Sequence, residues 1–321
     1  MSEDKTKERK ARTMPEDKDR QAAPCSPVSE PHEHGHHGHD HHHDHHEHGH
    51  AHSHEHHHEH DHGHHHEHDH HHAVPTTGGR VLTVRASSGL SGDIMLAGLA
   101  ALAGLDSKDL DGLAGELGLD SLCGSVQLEP RSVNSIAGVG CKVTLPHEHA
   151  HRNLADILKI IEAGAMPDEA KEPAKKAFTI LAQAEGEVHG MPSREVTFHE
   201  VGALDSILDI CLVCRLFVML KPDRFVCNPL PLADGVVKCA HGKVPSPAPA
   251  VLRLLENVPV CGFAGQGETV TPTAIALLKA LGADFGPWPN MVMHKSVISY
   301  GTKVFPDAPN GAIWAIGAAG A

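Results

Sequence analysis

Histidine dominates one segment of the chain, residues 32–72, and imidazole is the commonest side-chain ligand for metal ions. Of the 41 residues in this tract, 26 are His and nine are Asp or Glu. So many imidazoles would bind Zn, Ni, Co or Cu with little selectivity, and less tightly below about pH 6.5, where His is protonated. The triplets supply the candidate ligands His41, His42, His43, His56, His57, His58, His64, His65 and His66. The alternative is a low-complexity arm that only adds solubility.

A second group of candidate metal ligands lies in the segment LPHEHAHRN, where His147, His149 and His151 occupy alternate positions. If this segment continues a strand, all three imidazoles project from one face and form a row of ligands for Zn, Ni or Cu. The alternative is an exposed polar loop.

Acids and a histidine meet in the segment TFHEVGALDSILDI. His199 and Glu200 precede a predicted helix, on which Asp205 and Asp209 are four residues apart and therefore share one face. The rest of that helix is apolar, so two carboxylates are costly there unless they are paired, protonated or bound to a metal. We predict that these four residues are metal ligands or proton-transfer groups. The alternative is that both aspartates face solvent near the helix N-terminus.

Two further motifs contain metal-ligand residue types. His241 precedes a Gly in CAHGKVPSPAPA and is a candidate catalytic residue, although a single loop His is most often a surface residue. Cys211 and Cys214 have the spacing of a metal-binding pair. They lie in the apolar run DSILDICLVCRLFVML without a Gly turn or a second pair, so we predict buried helical cysteines.

Two segments rich in small residues could bind an anion such as a phosphate. SSGLSGD lies between a predicted strand and a predicted helix, where backbone N–H groups and the helix N-terminus attract an anion. TVTPT opens another helix and offers hydroxyls and free N–H groups. The candidate ligands are Ser88, Gly89, Ser91, Gly92, Asp93, Thr271 and Thr273. The alternatives are a tight connection, a plain helix cap and, for Asp93, an acid that stabilises the helix dipole.

Strand and helix patterns interleave after residue 73, which predicts an α/β fold, with mixed α+β as the alternative. We expect one large domain at 73–321 after a disordered arm at 1–72, because the arm lacks large apolar side chains. Predicted strands are one at 78–84, two joined by a turn within 125–151, short strands among Pro-rich loops at 226–250, and a terminal segment at 291–305. Predicted helices cover 94–106 with an end at Gly104, 107–120 with Ser107 as N-cap, 153–164, 167–190, 202–220, 248–256 and 272–282.

Charge and composition exclude two classes of partner. The net charge is −14, and without the nine acids of the tract it is −5, so no basic surface for nucleic acid is indicated. Aromatic residues make up only 3% of the chain, which leaves few platforms for stacked bases. No apolar run approaches the roughly 20 residues of a membrane span, and no signal-peptide pattern occurs. We therefore expect a cytoplasmic protein that binds neither nucleic acid nor membranes.

Six segments in order resemble the LarC-type nickel insertion proteins of nickel-pincer cofactor synthesis, over roughly residues 80–309. They are SSGLSGD, HEHAHRNLADI, VHGMP, TFHEVGALDSILDI, NPLPLADGVVKCAHGKVPSPAPA and ETVTPTAIALL. The resemblance implies insertion of Ni(II) into pyridinium-3,5-bisthiocarboxylic acid mononucleotide, with two sulfur–nickel bonds and one carbon–nickel bond. It also implies cytidine triphosphate with a divalent metal, used through a separate C-terminal domain, and a lactate racemase-type nickel-pincer enzyme as recipient.

The resemblance leaves two hypotheses. The first is a nickel insertase, a lyase-type metal chelatase, or the first half of that activity. The second is a non-catalytic nickel or zinc storage protein or metallochaperone that retains the fold. Arg85, Ala86 and Ser87 stand where the family has Asp-Cys-Phe, and the family's second domain is not in this sequence. Both differences favour the second hypothesis.

Overall fold

The computed structural model describes residues 76–119, 122, 124–144, 152–198, 204–239, 241–306 and 308–320. All of these residues belong to one compact unit. The predicted arm lies outside the described residues, so the boundary at residue 73 stays a prediction.

Seven helices and thirteen strands alternate through the described ranges, which confirms the predicted α/β class. The helices are α1 (Gly92–Ala103), α2 (Ser107–Gly115), α3 (Leu154–Ala163), α4 (Asp168–His189), α5 (Leu204–Leu220), α6 (Pro249–Leu254) and α7 (Pro272–Ala280). The strands are β1 (Thr76–Ala86), β2 (Val126–Val133), β3 (Ile136–Val143), β4 (Arg152–Asn153), β5 (Thr197–Phe198), β6 (Arg224–Cys227), β7 (Leu230–Asp234), β8 (Val236–Cys239), β9 (Gly242–Pro245), β10 (Val260–Gln266), β11 (Asp284–Phe285), β12 (Met291–Ser299) and β13 (Ala312–Gly320).

A seven-stranded mixed sheet forms the framework, in the order β11-β6-β1-β13-β12-β3-β2. β1 pairs in parallel with β6 and antiparallel with β13, and β13 pairs antiparallel with β12. β7 with β10, β8 with β9 and β4 with β5 form three two-stranded sheets. The centre of the large sheet therefore joins a strand from the start of the unit to one from its end.

Helix α1 is held against this sheet by a chain of hydrogen bonds. The indole N–H of Trp314, a fully buried residue of β13, donates to Ser299 Oγ at 2.9 Å. Ser299 Oγ in turn donates to the carbonyl oxygen of Ile94 in the first turn of α1, also at 2.9 Å. Because these groups are buried, leaving any of them unpaired would be costly. The bonds therefore fix where the N-terminus of α1 lies above the sheet.

Most predicted elements are confirmed, but one helix cap and several strands differ. The N-cap of α2 is Asp106 rather than Ser107, because the Asp106 side chain accepts from Asp109 N and the Asp109 side chain accepts from Asp106 N, each at 3.0 Å. That reciprocal pair is a capping box. The predicted strand at 291–305 ends at Ser299, and β10 was not predicted. Nor was β13, although it is central in the sheet. Its alanines and glycines give a weak strand signal.

The prediction for the two helical cysteines is confirmed. Cys211 and Cys214 lie on α5 and are fully buried in the apolar core. Burial raises the pKa of Cys211 to about 12 and that of Cys214 well above its ordinary value. Both thiols are therefore protonated core groups at neutral pH. Within the described ranges, no helix is long and apolar enough to cross a membrane.

Candidate functional site

A pocket of about 350 Å³ lies where α1 and α7 begin, and we call it the first pocket. Three chain segments build it: the loop before α1, the loop before α7, and the segment after β12. The first segment contributes Ser88, Gly89, Ser91, Asp93 and Ile94. The other two contribute Glu268, Thr269, Thr271, Tyr300, Gly301, Thr302, Lys303 and Phe305, and Gly311 completes the lining.

The two helix-preceding loops are joined by backbone hydrogen bonds. Leu90 N donates to Thr269 O at 2.9 Å, and Thr271 N donates to Leu90 O at 3.0 Å. The close approach depends on Gly89, whose φ is +133° and whose Cβ, if present, would lie 1.8 Å from Thr269 O. Only glycine fits this position. The N-termini of α1 and α7 are therefore held side by side at the pocket.

The two helix N-termini differ in their capping. Thr271 caps α7, because its hydroxyl accepts from Ala274 N at 3.3 Å. Ser91 is the N-cap residue of α1 but makes no side-chain cap; its hydroxyl donates instead to Asp93 Oδ1. The first-turn N–H groups of α1 thus receive no bond from Ser91, and a helix N-terminus with such groups favours an anion.

A lysine supplies positive charge at the pocket wall. Lys303 Nζ donates to Gln266 O at 2.8 Å and to Glu268 O at 3.0 Å, and it lies 4.5 Å from the centre of the Phe305 ring. Burial lowers the pKa of Lys303, and the nearby Glu268 charge opposes that shift. These contacts hold the ammonium group in one place, where it can meet an anionic ligand.

Asp209 lies directly beneath the loop at the start of α1. A Cβ on Gly92 would come within 2.6 Å of Asp209 Oδ2 and 3.2 Å of Thr273 Cγ2. Asp209 Oδ1 is inaccessible to solvent and has no hydrogen-bond partner. Burial raises the pKa of Asp209 well above its ordinary value, and the negative charges of Asp93 and Asp205 raise it further. These causes favour the neutral form of this carboxyl group.

The other acid of the predicted pair has a different environment. Asp205 is exposed in the first turn of α5, and its Oδ1 accepts from Ser206 N at 2.7 Å. Of the two aspartates on this face, then, Asp205 faces solvent, as the alternative expected, and Asp209 does not.

A half-buried thiol, that of Cys141, lies in the same environment as Asp209. Burial and the charges of Asp209, Asp93 and Glu129 raise the pKa of Cys141 to about 12.

His241 lies in a second pocket, of about 240 Å³. This pocket is bounded by the last turn of α4, the β8–β9 hairpin and the start of α6. The ring centroids of His241 and His189 are 4.9 Å apart, and the ring planes are inclined by 52°. His189 Nε2 is 3.4 Å from Glu185 Oε2, one helical turn earlier. Glu268 lines both this pocket and the first.

The structure brings most of the predicted anion-binding residues together. Ser88, Gly89, Ser91, Asp93 and Thr271 line the first pocket. Gly92 and Thr273 lie beneath it with Asp209. Several predicted residues lie outside the described residues: His199, Glu200, His147, His149, His151, and the tract residues His41, His42, His43, His56, His57, His58, His64, His65 and His66. The roles of all these residues stay predictions.

Several residues of the two pockets were missed by sequence reasoning. Glu268 and Thr269 lie three and two residues before the predicted Thr271, and Lys303 follows β12 in a loop of small residues. Their proximity to the candidate sites along the chain, or the Tyr-Gly-Thr-Lys composition, could have indicated them. Glu185 and His189 have a clearer signal, because ligands four residues apart on a helix share one face.

Arg85 has a structural role away from the first pocket. Its guanidinium donates to the carbonyl oxygens of Gly286 at 2.7 Å and Pro287 at 2.8 Å, and to Thr83 Oγ1 at 2.8 Å. It also lies 5.0 Å from the ring centre of Trp288. Arg85 therefore anchors the 286–288 segment to the end of β1, and it is not among the residues that line the first pocket.

Fold and site together define a class: an α/β protein with a small-molecule pocket at two adjacent helix N-termini and a second pocket lined by His and Glu. The family model described as "Nickel insertion protein" matches residues 82–317. The chain belongs to the nickel insertion protein family.

Curated relatives give the same family. The chain is 39% identical over 231 residues to a "Putative nickel insertion protein" of Geobacter metallireducens, covering 72% of this chain and 59% of that protein. It is 34% identical over 231 residues to the "Pyridinium-3,5-bisthiocarboxylic acid mononucleotide nickel insertion protein" of Staphylococcus epidermidis, covering 72% and 58%. A protein of the latter name from Acetivibrio thermocellus is 36% identical over 236 residues, covering 69% and 56%. The chain thus spans less than two thirds of these relatives, and no solved structure matches it.

Proposed function

We propose that this protein inserts Ni(II) into pyridinium-3,5-bisthiocarboxylic acid mononucleotide, or carries the part of that activity that binds the mononucleotide. The observation that carries the proposal is the first pocket, in which two helix N-termini and Lys303 converge. That combination suits a phosphate monoester, because N–H groups and an ammonium both stabilise its charge. The names of two relatives, which specify this mononucleotide, supply the substrate.

A proton acceptor is needed in this reaction. When the carbon–nickel bond forms, the carbon–hydrogen bond breaks and its proton must pass to a base. Asp93 and Glu268 are carboxylates that line the first pocket, so we place the acceptor there. Asp209 lies below the loop, and its raised pKa favours the neutral form, so its role in this proposal is to support Gly92 and the loop.

Three further components belong to the proposal. The resemblance supports cytidine triphosphate with a divalent metal ion as co-substrate, used through the C-terminal part of the family. It also supports a nickel-pincer enzyme as the recipient of the product. We place the reaction in the cytoplasm, since six cysteines of the described ranges carry free thiols, as is usual in a reducing compartment.

The direct test is metallation of the mononucleotide. The full chain would be incubated with the unmetallated mononucleotide, Ni(II), cytidine triphosphate and Mg²⁺, with and without the C-terminal part of a relative. We expect a product whose mass has increased by one nickel and decreased by the displaced protons. If the product forms under neither condition, the chain does not insert nickel, and only the mononucleotide-binding version of the proposal is left for the affinity measurements below.

A matched pair of lysine variants tests the first pocket. Lys303→Met should weaken binding of the mononucleotide about 10- to 100-fold, because one bond to a charged group contributes about 1.5–3 kcal/mol. Lys295→Met is the control, since Lys295 Nζ also donates to two carbonyl oxygens, those of Ala101 and Leu102, but at the far end of α1. Calorimetry should show wild-type affinity for the control. Equal affinities for all three proteins would contradict the assignment of this pocket.

A second candidate function is storage or delivery of nickel or zinc without catalysis. The density of His in residues 32–72 favours it. This version predicts binding of several metal ions by the tract and no binding of the mononucleotide, so the same calorimetry separates the two functions. Deleting residues 32–72 should lower the number of bound ions, and an unchanged number would refute a metal store in the tract.

A further inference from the structure

Three metal-ligand side chains face the second pocket from two separate parts of the chain. Glu185 and His189 are one turn apart near the end of α4, and their side chains are 24% and 25% exposed. His241 reaches the same pocket from the turn of the β8–β9 hairpin. An acid–histidine pair alone is common on helices. Stabilisation of the helix does not explain why a second histidine, His241, packs against this pair inside a pocket.

The separation of the helical pair matches that of two ligands of one metal ion. Ligand atoms about 2.1 Å from a shared ion lie about 3.0–3.4 Å apart in octahedral or tetrahedral geometry. His189 Nε2 and Glu185 Oε2 are 3.4 Å apart. Residues at i and i+4 are also the usual way in which one helix offers two ligands to an ion. The pair therefore has the spacing of a chelate.

His241 is placed to complete the ligand set. Its ring centroid is 4.9 Å from that of His189, and the residue is exposed. Among the described residues, no three His, Cys, Asp or Glu side chains already form a metal-binding group. Closure therefore requires rotation of the His241 side chain about its torsion angles, towards the helical pair. Cys239, two residues before, lines the same pocket and offers sulfur to a borderline metal.

We propose that Glu185, His189 and His241 bind a divalent transition-metal ion in the second pocket. Mixed imidazole and carboxylate ligands suit Ni(II), Zn(II) or Co(II) rather than Mg(II) or Ca(II). Glu268 borders both pockets, so an ion bound here lies beside the site assigned to the mononucleotide. The identification of this ion as the nickel to be inserted rests on the proposed function. The metal site itself is inferred independently of that function.

The test must distinguish this site from the His-rich tract, so it reads individual histidines in the full chain. Diethyl pyrocarbonate would be applied with and without saturating Ni(II), and carbethoxylation of each His would be followed by mass spectrometry of peptides. We expect the rates at His189 and His241 to fall at least about fivefold, because a nitrogen bound to metal cannot react. His294, exposed on β12, is the internal control and should react at an unchanged rate. Chelation of the nickel should restore both rates.

Substitutions test whether the residues act together. In His241→Gln and in Glu185→Gln, nickel should protect His189 much less than in the wild type, while circular dichroism shows that each variant is folded. Unchanged rates at His189 and His241 in the wild type would overturn the proposal without any variant. So would full protection of His189 in both folded variants. If nickel protects the two histidines but no metallated mononucleotide forms, this metal site is supported and nickel insertion is ruled out. If metallated mononucleotide forms but the histidines are not protected, nickel insertion is supported and this metal site is ruled out.

Discussion

Gly89 offers the sharpest test of how the first pocket is built. An alanine Cβ at this position would lie 1.8 Å from Thr269 O, whereas Cβ contacts below 3.0 Å essentially never occur. The loop before α7 must therefore move by at least about 1.2 Å to restore that separation. Such a shift separates the loops that the Leu90–Thr269 and Thr271–Leu90 hydrogen bonds now join.

The expected cost of Gly89→Ala has two parts. A side chain at φ +133° adds about 1–3 kcal/mol of backbone strain. Loss of two backbone hydrogen bonds adds about 0.5–1.5 kcal/mol each. We therefore expect the free energy of unfolding to fall by about 2–6 kcal/mol, a large share of the roughly 5–15 kcal/mol that a domain has. The middle of that range corresponds to a melting temperature about 8–16 °C lower.

The matched control is Gly112→Ala. Gly112 lies exposed on α2, and an added Cβ would meet no atom within 4 Å. Alanine should stabilise that helix by about 0.5–1 kcal/mol. Urea unfolding followed by circular dichroism, with chelator present to remove bound metal, measures both changes. If Gly89→Ala were as stable as the wild type, the described contact between the two loops would be wrong.

Three further predictions concern single side chains. The pKa of Asp209 is raised in the folded protein, so its contribution to stability is full below about pH 4 and declines by about 1.4 kcal/mol per pH unit as the pH rises towards the folded pKa. Urea titrations at several pH values should show that Asp209→Asn removes this decline. Parallel pH profiles for the variant and the wild type would refute the prediction. Thr271→Ala should lower the free energy of unfolding by about 1 kcal/mol, because the cap of α7 is lost. Thr271→Ser should lower it by much less, because the serine hydroxyl keeps the cap. Equal losses for the two variants in urea unfolding would argue against the cap. Arg85→Met should lower the free energy of unfolding by about 2–4 kcal/mol, because carbonyl oxygens of the 286–288 segment lose a charged donor. It should also change the fluorescence of Trp288. Wild-type stability together with a wild-type spectrum would contradict the anchoring role.

Local signals in the sequence determined most of the helices and the two small-residue loops. Asn153 directly precedes the apolar helix α3 and caps it by accepting from Asp156 N. Gly104 ends α1 in the left-handed conformation that glycine favours. SSGLSGD and TVTPT could be recognised because capping and anion binding depend on residues next to each other in the chain. The family resemblance also came from contiguous motifs.

The tertiary structure decided which of these residues meet and which are buried. β13 has little local strand signal, but pairing with β1 and β12 on both sides makes it central. Asp205 and Asp209 share one predicted helix face, yet Asp205 is exposed whereas Asp209 Oδ1 is inaccessible to solvent. The difference arises because burial is set by packing from distant segments. The first pocket joins segments near residues 90, 270 and 302, and His189 faces His241 only because a hairpin folds onto the end of α4. Contacts of this kind have no signal at any one place in the sequence, since they depend on how the whole sheet and its helices pack.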